Sequence, residues 1–207
     1  MLEVPLPDGS LITLNANSSI TYPKAFSTES RNVSLQGEAF FEVERNEQHP
    51  FIIQAGIAEV EVLGTSFNVN AYDEQHRVAV TVATGKVELR SGEEASEHRL
   101  ALVEGTKGIL TRTKETLIHE VEGGISDLYW KTKTLIFKKA AMHDVVKILN
   151  ETYGARVELK DTAIANCKLS TTFRQKNLKE VLEVISATLN IRVSEQGSTI
   201  ELYGEGC

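Results

Sequence analysis

The closest this chain comes to a pair of catalytic carboxylates is Glu59 with Glu61 and Glu42 with Glu44, each two residues apart. General acid–base work needs two carboxyl groups in different environments. An i, i+2 spacing on a strand instead puts both on one face, the pattern of a solvated strand. The five histidines (His49, His76, His98, His119 and His143) stand singly, with no His-x-x-x-His or Cys-x-x-Cys spacing to hold a metal. Thr84-Gly85-Lys86-Val87 is not a phosphate loop, because Val80 occupies the upstream glycine position and Val87 the Ser/Thr position. No Gly-x-Ser-x-Gly supplies a nucleophile elbow. Glu93-Glu94-Ala95-Ser96-Glu97-His98 reads as the charged tip of a hairpin. No enzyme, no cofactor and no metal are therefore expected. Cys167 and Cys207 allow two readings, a disulfide in an oxidising compartment or a buried thiol plus a free one.

The elements that carry these residues are mostly strands. Leu6-Pro7-Asp8-Gly9-Ser10 has turn chemistry and leads into the short strand Leu11-Ile12-Thr13-Leu14. Arg31-Asn32-Val33-Ser34-Leu35 alternates, Gln36-Gly37 reads as a turn, and 38–44 reads as the partner strand. On that strand Ala39, Phe41 and Val43 share one face, and Glu38, Glu42 and Glu44 the other, with Phe40 among the acids. Val60 and Val62 oppose Glu59 and Glu61 in the same manner, and Val78, Val80 and Val82 oppose Arg77 and Thr81. About a dozen such strands precede residue 122, which implies a mainly β domain built as a sandwich, a barrel or a β-solenoid. The formal net charge of −7 argues against a nucleic-acid partner. No stretch reaches the roughly 18 apolar residues of a membrane helix. Met1-Leu2-Glu3-Val4 runs straight into a turn, so an anchor would lie upstream of this soluble fragment.

Composition changes at Glu122-Gly123-Gly124, and helical periodicity begins. Residues 1–122 form the first expected domain, 123–128 a linker and 129–207 the second. Superimposing Phe137 on Phe173 places Met142 on Leu178, Val145 on Val181, Val146 on Leu182 and Leu149 on Ile185, a repeat of 36 residues. Each half reads strand, helix, strand. Asn177 and Glu180 have capping-box spacing, and Gly154 ends the first helix. The expectation is a small α+β domain made of a duplicated βαβ unit, with two helices on one side of one small sheet. Leu135 and Phe137 would face the helices, sending Thr134 and Ile136 outward, along with Thr172 and with Tyr203 beside Glu201. Trp130, Ile136, Thr172, Thr199, Glu201 and Tyr203 are the candidate partner-binding residues. The competing expectation is that this face packs on the first domain.

These residues resemble the extracytoplasmic region of a FecR-type sigma-factor regulator. The matching segments are Leu6-Pro7-Asp8-Gly9-Ser10 with Leu14-Asn15, Gly37-Glu38-Ala39-Phe40-Phe41-Glu42-Val43, Pro50-Phe51, Val62-Leu63-Gly64-Thr65-Ser66-Phe67-Asn68-Val69 and Gly85-Lys86-Val87. The tail resembles the domain that follows in many such regulators, similar to the short N-terminal domains of secretins and TonB-dependent receptors. Trp130, Leu135 and Phe137 fit its opening, where Lys133 stands in place of the usual glycine. The resemblance implies a periplasmic region of a single-pass inner-membrane anti-sigma factor. Its implied partners are the N-terminal signalling domain of an outer-membrane TonB-dependent receptor and, through a cytoplasmic segment outside this chain, a sigma factor. The competing class is a glycan-binding β-sandwich. Against it stand an aromatic content of 6% and a single tryptophan, Trp130.

Overall fold

The computed structural model describes residues 1–72, 77–91, 99–112, 116–122 and 125–207, with the side chains of 116–122 and 125 left aside. The expected hairpin tip at 93–98 and the glycine pair at 123–124 lie outside the described residues. The chain divides into two compact units, Met1–Lys131 and Thr132–Cys207.

The first unit holds twelve strands among the described residues: β1 (Leu2–Pro5), β2 (Leu11–Leu14), β3 (Ser19–Thr21), β4 (Arg31–Glu42), β5 (Phe51–Ala55), β6 (Ala58–Val62), β7 (Ser66–Ala71), β8 (Arg77–Thr84), β9 (Lys86–Ser91), β10 (Arg99–Val103), β11 (Thr106–Arg112) and β12 (Thr116–Glu122). They run in one path, β10-β9-β6-β5-β4-β7-β8-β11-β12, with β1-β2 and β3 attached through β4. Period-two alternation supplies the core. Phe41, Phe51 and Phe67 are fully buried, with Ile12, Ile53, Val60, Val80 and Leu89 packed around them. Phe41 stacks on Phe67 at 5.2 Å between ring centroids and meets Phe51 edge-on at 6.3 Å.

One expectation fails in an informative way. Gln36-Gly37 is not a turn, and β4 runs unbroken through it for twelve residues. Its first half pairs with β3 and β5, its second half with β2 and β7. Gly37, at φ +86°, sits where β4 passes from one set of neighbours to the other. A Cβ there would lie 2.4 Å from Ser18 Oγ and 2.9 Å from Ser18 Cα. The glycine marks a strand bend under a close backbone neighbour rather than a reversal.

The face of this sheet opposite the core is also partly covered. Glu3, Thr13, Phe40, Asn68, Thr81 and Lys107 stand in one cross-strand row from β1 to β11. A 3-10 turn (Ile125–Leu128) and α1 (Tyr129–Thr132) supply the strap over it. Asp127 accepts from the Thr81 hydroxyl at 3.3 Å and pairs with Lys107. Four residues on, Lys131 donates to Thr13 Oγ1 at 2.7 Å and reaches Glu3 at 3.3 Å. Leu128 is buried between these anchors, and Phe40 and Asn68 are buried in the row beneath. This accounts for Phe40 on a face read as acidic. Glu38, on the same face, is buried rather than solvated: it accepts from Asn15 Nδ2 at 2.7 Å and Asn68 Nδ2 at 2.8 Å.

The second unit comprises β13 (Thr134–Ala141), α2 (Met142–Tyr153), β14 (Arg156–Leu159), a 3-10 turn (Thr162–Ile164), β15 (Lys168–Arg174), α3 (Leu178–Leu189), β16 (Arg192–Gln196) and β17 (Thr199–Tyr203). Both helices have twelve residues, and their starts are 36 apart. Lys139 and Gln175 share a left-handed conformation at that spacing, as do Gly154 and Asn190. The Asn177/Glu180 capping box is formed at the start of α3, and Gly154 closes α2. The single small sheet is not formed, however. The strands make an antiparallel ribbon, β13-β15, and a separate three-stranded sheet, β14-β17-β16. The bulge between Phe137 and Ala140 turns β13 out of register, and β17 takes the place beside β14 in parallel. Lys133, where the resembling domains have glycine, adopts φ +50°, a conformation that glycine reaches without strain.

Cys167 and Cys207 form a disulfide, which leaves no free thiol among the described residues. It fastens the end of the chain beside the 162–164 turn. There the Gly204 N–H donates to Asp161 Oδ2 at 2.9 Å, and a Cβ on Gly204 would lie 2.7 Å from Ile164 Cγ2.

Candidate partner-binding surface

The six candidate residues fall into three groups. Trp130 lies on α1 in the first unit, half-buried, and its indole Nε1 has no hydrogen-bond partner among the described residues. Ile136 and Thr172 stand directly opposite each other on the β13-β15 ribbon, with Thr172 exposed and Ile136 half-exposed. Their neighbours Leu135, Phe137 and Phe173 are buried on the other side, the two phenylalanine rings 6.1 Å apart. Alternation along each strand produces this split.

Thr199, Glu201 and Tyr203 share one face of β17, the central strand of the other sheet, while Leu202 between them is fully buried. Glu201 accepts from Lys160 at 2.7 Å and from the Tyr203 hydroxyl. Lys160 also reaches Glu158 at 3.3 Å, and Glu158 accepts from Arg156 Nε at 2.9 Å. These bonds hold the Glu201 carboxyl below its ordinary range, through Lys160 first and Tyr203 second. Glu158 is held low by Arg156 and then Lys160. Lys160 is raised by its bonds to Glu201 and Glu158, and the Tyr203 phenol is raised chiefly by the Glu201 carboxylate it faces. The result is a charged, hydrogen-bonded face. Sequence reading found Glu201 and Tyr203 but passed over Arg156, Glu158 and Lys160. Their i, i+2 spacing on one strand face was the available signal.

Two further charged clusters belong to the first unit. Arg31 is buried, with Nη1 bonded to Asp8 at 2.7 Å and to the Glu44 carbonyl at 2.8 Å, and its guanidinium lies 5.3 Å from the Phe51 ring centre. Burial pushes the Asp8 carboxyl up, but bonds from Ser10 and Arg31 outweigh it and hold it below its ordinary value. Glu59 and Glu61, the pair read as solvated, clasp Arg90 from the neighbouring strand, with Arg90 Nη2 2.6 Å from Glu61. Both clusters bind strands together. Among the described residues no group of three His, Cys, Asp or Glu side chains could hold a metal ion. No helix among them is long and apolar enough to cross a membrane.

The model of the FecR protein family matches residues 1–88, and that of the FecR C-terminal domain matches residues 134–202. No curated protein matches. Two crystal structures described as a candidate anti-sigma factor from Parabacteroides distasonis are similar, each at 33% identity and a TM-score of 0.57 over 99% of this chain. The alignments span 95% and 94% of those chains. With two matched segments in family order and this identity across nearly its whole length, the chain belongs to the FecR family of anti-sigma regulators.

Proposed function

We propose that this chain is the periplasmic, signal-receiving region of an inner-membrane anti-sigma factor. In this reading it relays the ligand state of an outer-membrane TonB-dependent receptor to an extracytoplasmic-function sigma factor by protein–protein contact. The sigma factor is held by a cytoplasmic segment outside this chain. The observation that carries the reading is the pairing of a FecR match with a FecR C-terminal match, in a chain similar throughout to a candidate anti-sigma factor. The Cys167–Cys207 disulfide supports an oxidising compartment, as the periplasm is.

The second unit is the receiving element in this proposal. Its helices of equal length, 36 residues apart, support a duplicated strand–helix–strand unit similar to the short N-terminal domains of secretins and TonB-dependent receptors. Both of its sheets end in open edges, which offer main-chain groups to a partner strand. The test is capture of a receptor's N-terminal signalling domain by this chain, measured by calorimetry. Ile136→Asp and Tyr203→Asp should each weaken the complex while leaving circular dichroism unchanged. Unchanged affinity in both variants removes these faces as the contact. No binding by the parent chain removes the relay itself.

A further inference from the structure

The charge of the chain is unevenly divided. Residues 132–207 carry eleven Lys and Arg against nine Asp and Glu, a net +2, which leaves −9 for residues 1–131. Within the second unit the asymmetry sharpens. Residues 132–143 and 162–179 contain no acid at all, and these segments include the whole β13-β15 ribbon. The ribbon carries Lys138, Lys139, Lys168 and Arg174, all exposed and none ion-paired among the described residues. The other open strands of this unit mix their signs, Arg156 with Glu158 on β14 and Arg192 with Glu195 on β16.

The two edges of the ribbon are not equivalent. β13 is bulged between Phe137 and Ala140, with Lys139 at φ +53°, and a bulge spoils strand pairing. β15 carries no left-handed residue over its seven residues. The Gln175 N–H donates to the Lys133 carbonyl at 2.8 Å, which fixes the alternation of the ladder. By that alternation Leu135/Phe173 and Phe137/Thr171 are the mutually bonded pairs, and the N–H and C=O of Ser170, Thr172 and Arg174 turn away from β13. Lys168, Ser170, Thr172 and Arg174 are all exposed. Lysines also guard open sheet edges against aggregation, a task either sign of charge performs. A guard does not require the exclusion of every acid from both strands in a chain of net charge −7.

We propose that the free edge of β15 docks an acidic, extended segment of a partner protein. The segment adds as a third strand, and its carboxylates meet Lys168 and Arg174 at the two ends of β15. Lys138 and Lys139 on the neighbouring strand extend the attracting field. Main-chain bonds give such a contact its hold, and the one-signed charge gives it direction and choice of partner. This deepens the proposed receiving role of the second unit and rests on it for the identity of the partner.

The experiment uses the whole chain, with amide exchange and backbone resonance shifts as readouts and two synthetic extended peptides as probes. One alternates Glu with Val and Thr, and the other replaces each Glu with Lys. The Glu peptide should protect the amides of Ser170, Thr172 and Arg174. Its affinity should fall about tenfold or more at roughly 0.5 M salt, where exposed charges are screened within a few ångströms. The double variant K168E/R174E should lose the protection, and K168Q/R174Q should bind at an intermediate level. Equal binding of the Lys peptide, protection confined to β14 or β16, or protection by phosphatidylglycerol vesicles but not by the Glu peptide would each overturn the assignment. If K168E/R174E still captures the receptor's signalling domain with parental affinity, the edge assignment falls and the relay stands. If the parent captures no receptor domain while the Glu peptide protects β15, the relay falls and the edge assignment stands.

Discussion

The two units reach stability by different means. The first encloses one continuous apolar core, from Leu6 to Leu110, within a sheet in which eight of the twelve described strands are paired on both sides. Its charged groups are turned to internal use: Asp8 on Arg31, Glu59 and Glu61 on Arg90, Asp127 and Lys131 over the outer face. The second divides five strands between two small sheets, and it is fastened by a disulfide and well-formed helix caps. Most strands of the first unit pair both edges internally, whereas of the second unit's strands only β17 does. Exposed cations that are not ion-paired among the described residues lie along the second unit's β13-β15 ribbon.

The difference can be broken from either side. Phe41→Ala should destabilise the first unit by about 3–5 kcal/mol, since it removes a fully buried ring that touches two others. Calorimetry should show the second unit's transition unmoved. Reducing the Cys167–Cys207 bond, which closes a separation of 40 residues, should cost the second unit about 4 kcal/mol on a chain-entropy account. The first unit's transition should stay in place, and equal losses in both would deny them separate stabilities. Arg31→Ala should cost the first unit about 3 kcal/mol or more, because Asp8 is left charged without its partner.

Acid sharpens the comparison further. The Asp8 carboxyl is depressed in the folded state, so its contribution is whole above the ordinary carboxyl pKa of about 3.9 and is lost as pH falls through the lower folded value. The first unit should therefore weaken progressively below about pH 4, and Asp8→Asn should flatten that decline in thermal melts. The smallest expected effect is Asn177→Ala, which removes one side of a capping box and should cost the second unit about 1 kcal/mol.

Local patterns were legible in the sequence; pairings between distant strands were not. Alternation identified β2, β6 and β8, and helical spacing located α2 and α3 with their caps, because each signal lies within a dozen residues. Gly37 reads as a turn because a glycine required by a close neighbour looks the same in sequence as one required by a reversal. Only the position of Ser18 distinguishes them. Glu38 reads as part of a solvated acidic face because the covering segment, 125–132, arrives some ninety residues later. Phe40, a lone apolar residue on that face, reads instead as packed under a loop or second sheet, and it is buried. The split of the second unit into two sheets rests on pairings between distant strands, and neither it nor the bulge at Phe137/Ala140 is announced by a local pattern. Among the candidate residues, parity puts Ile136, Thr172, Glu201 and Tyr203 on one outward face, whereas the structure divides them between the β13-β15 ribbon and β17 of a separate sheet.

The twelve-residue strand β4 carries a last consequence. Because it lends one half to each group of neighbours, the first unit offers no seam along which it could be divided into smaller folding modules. A chain nicked between residues 43 and 50 would leave the N-terminal fragment holding β4 without β5 or β7, and the other fragment holding those strands without the keel they lean on. Such halves should be inert when made separately and recover structure only when mixed.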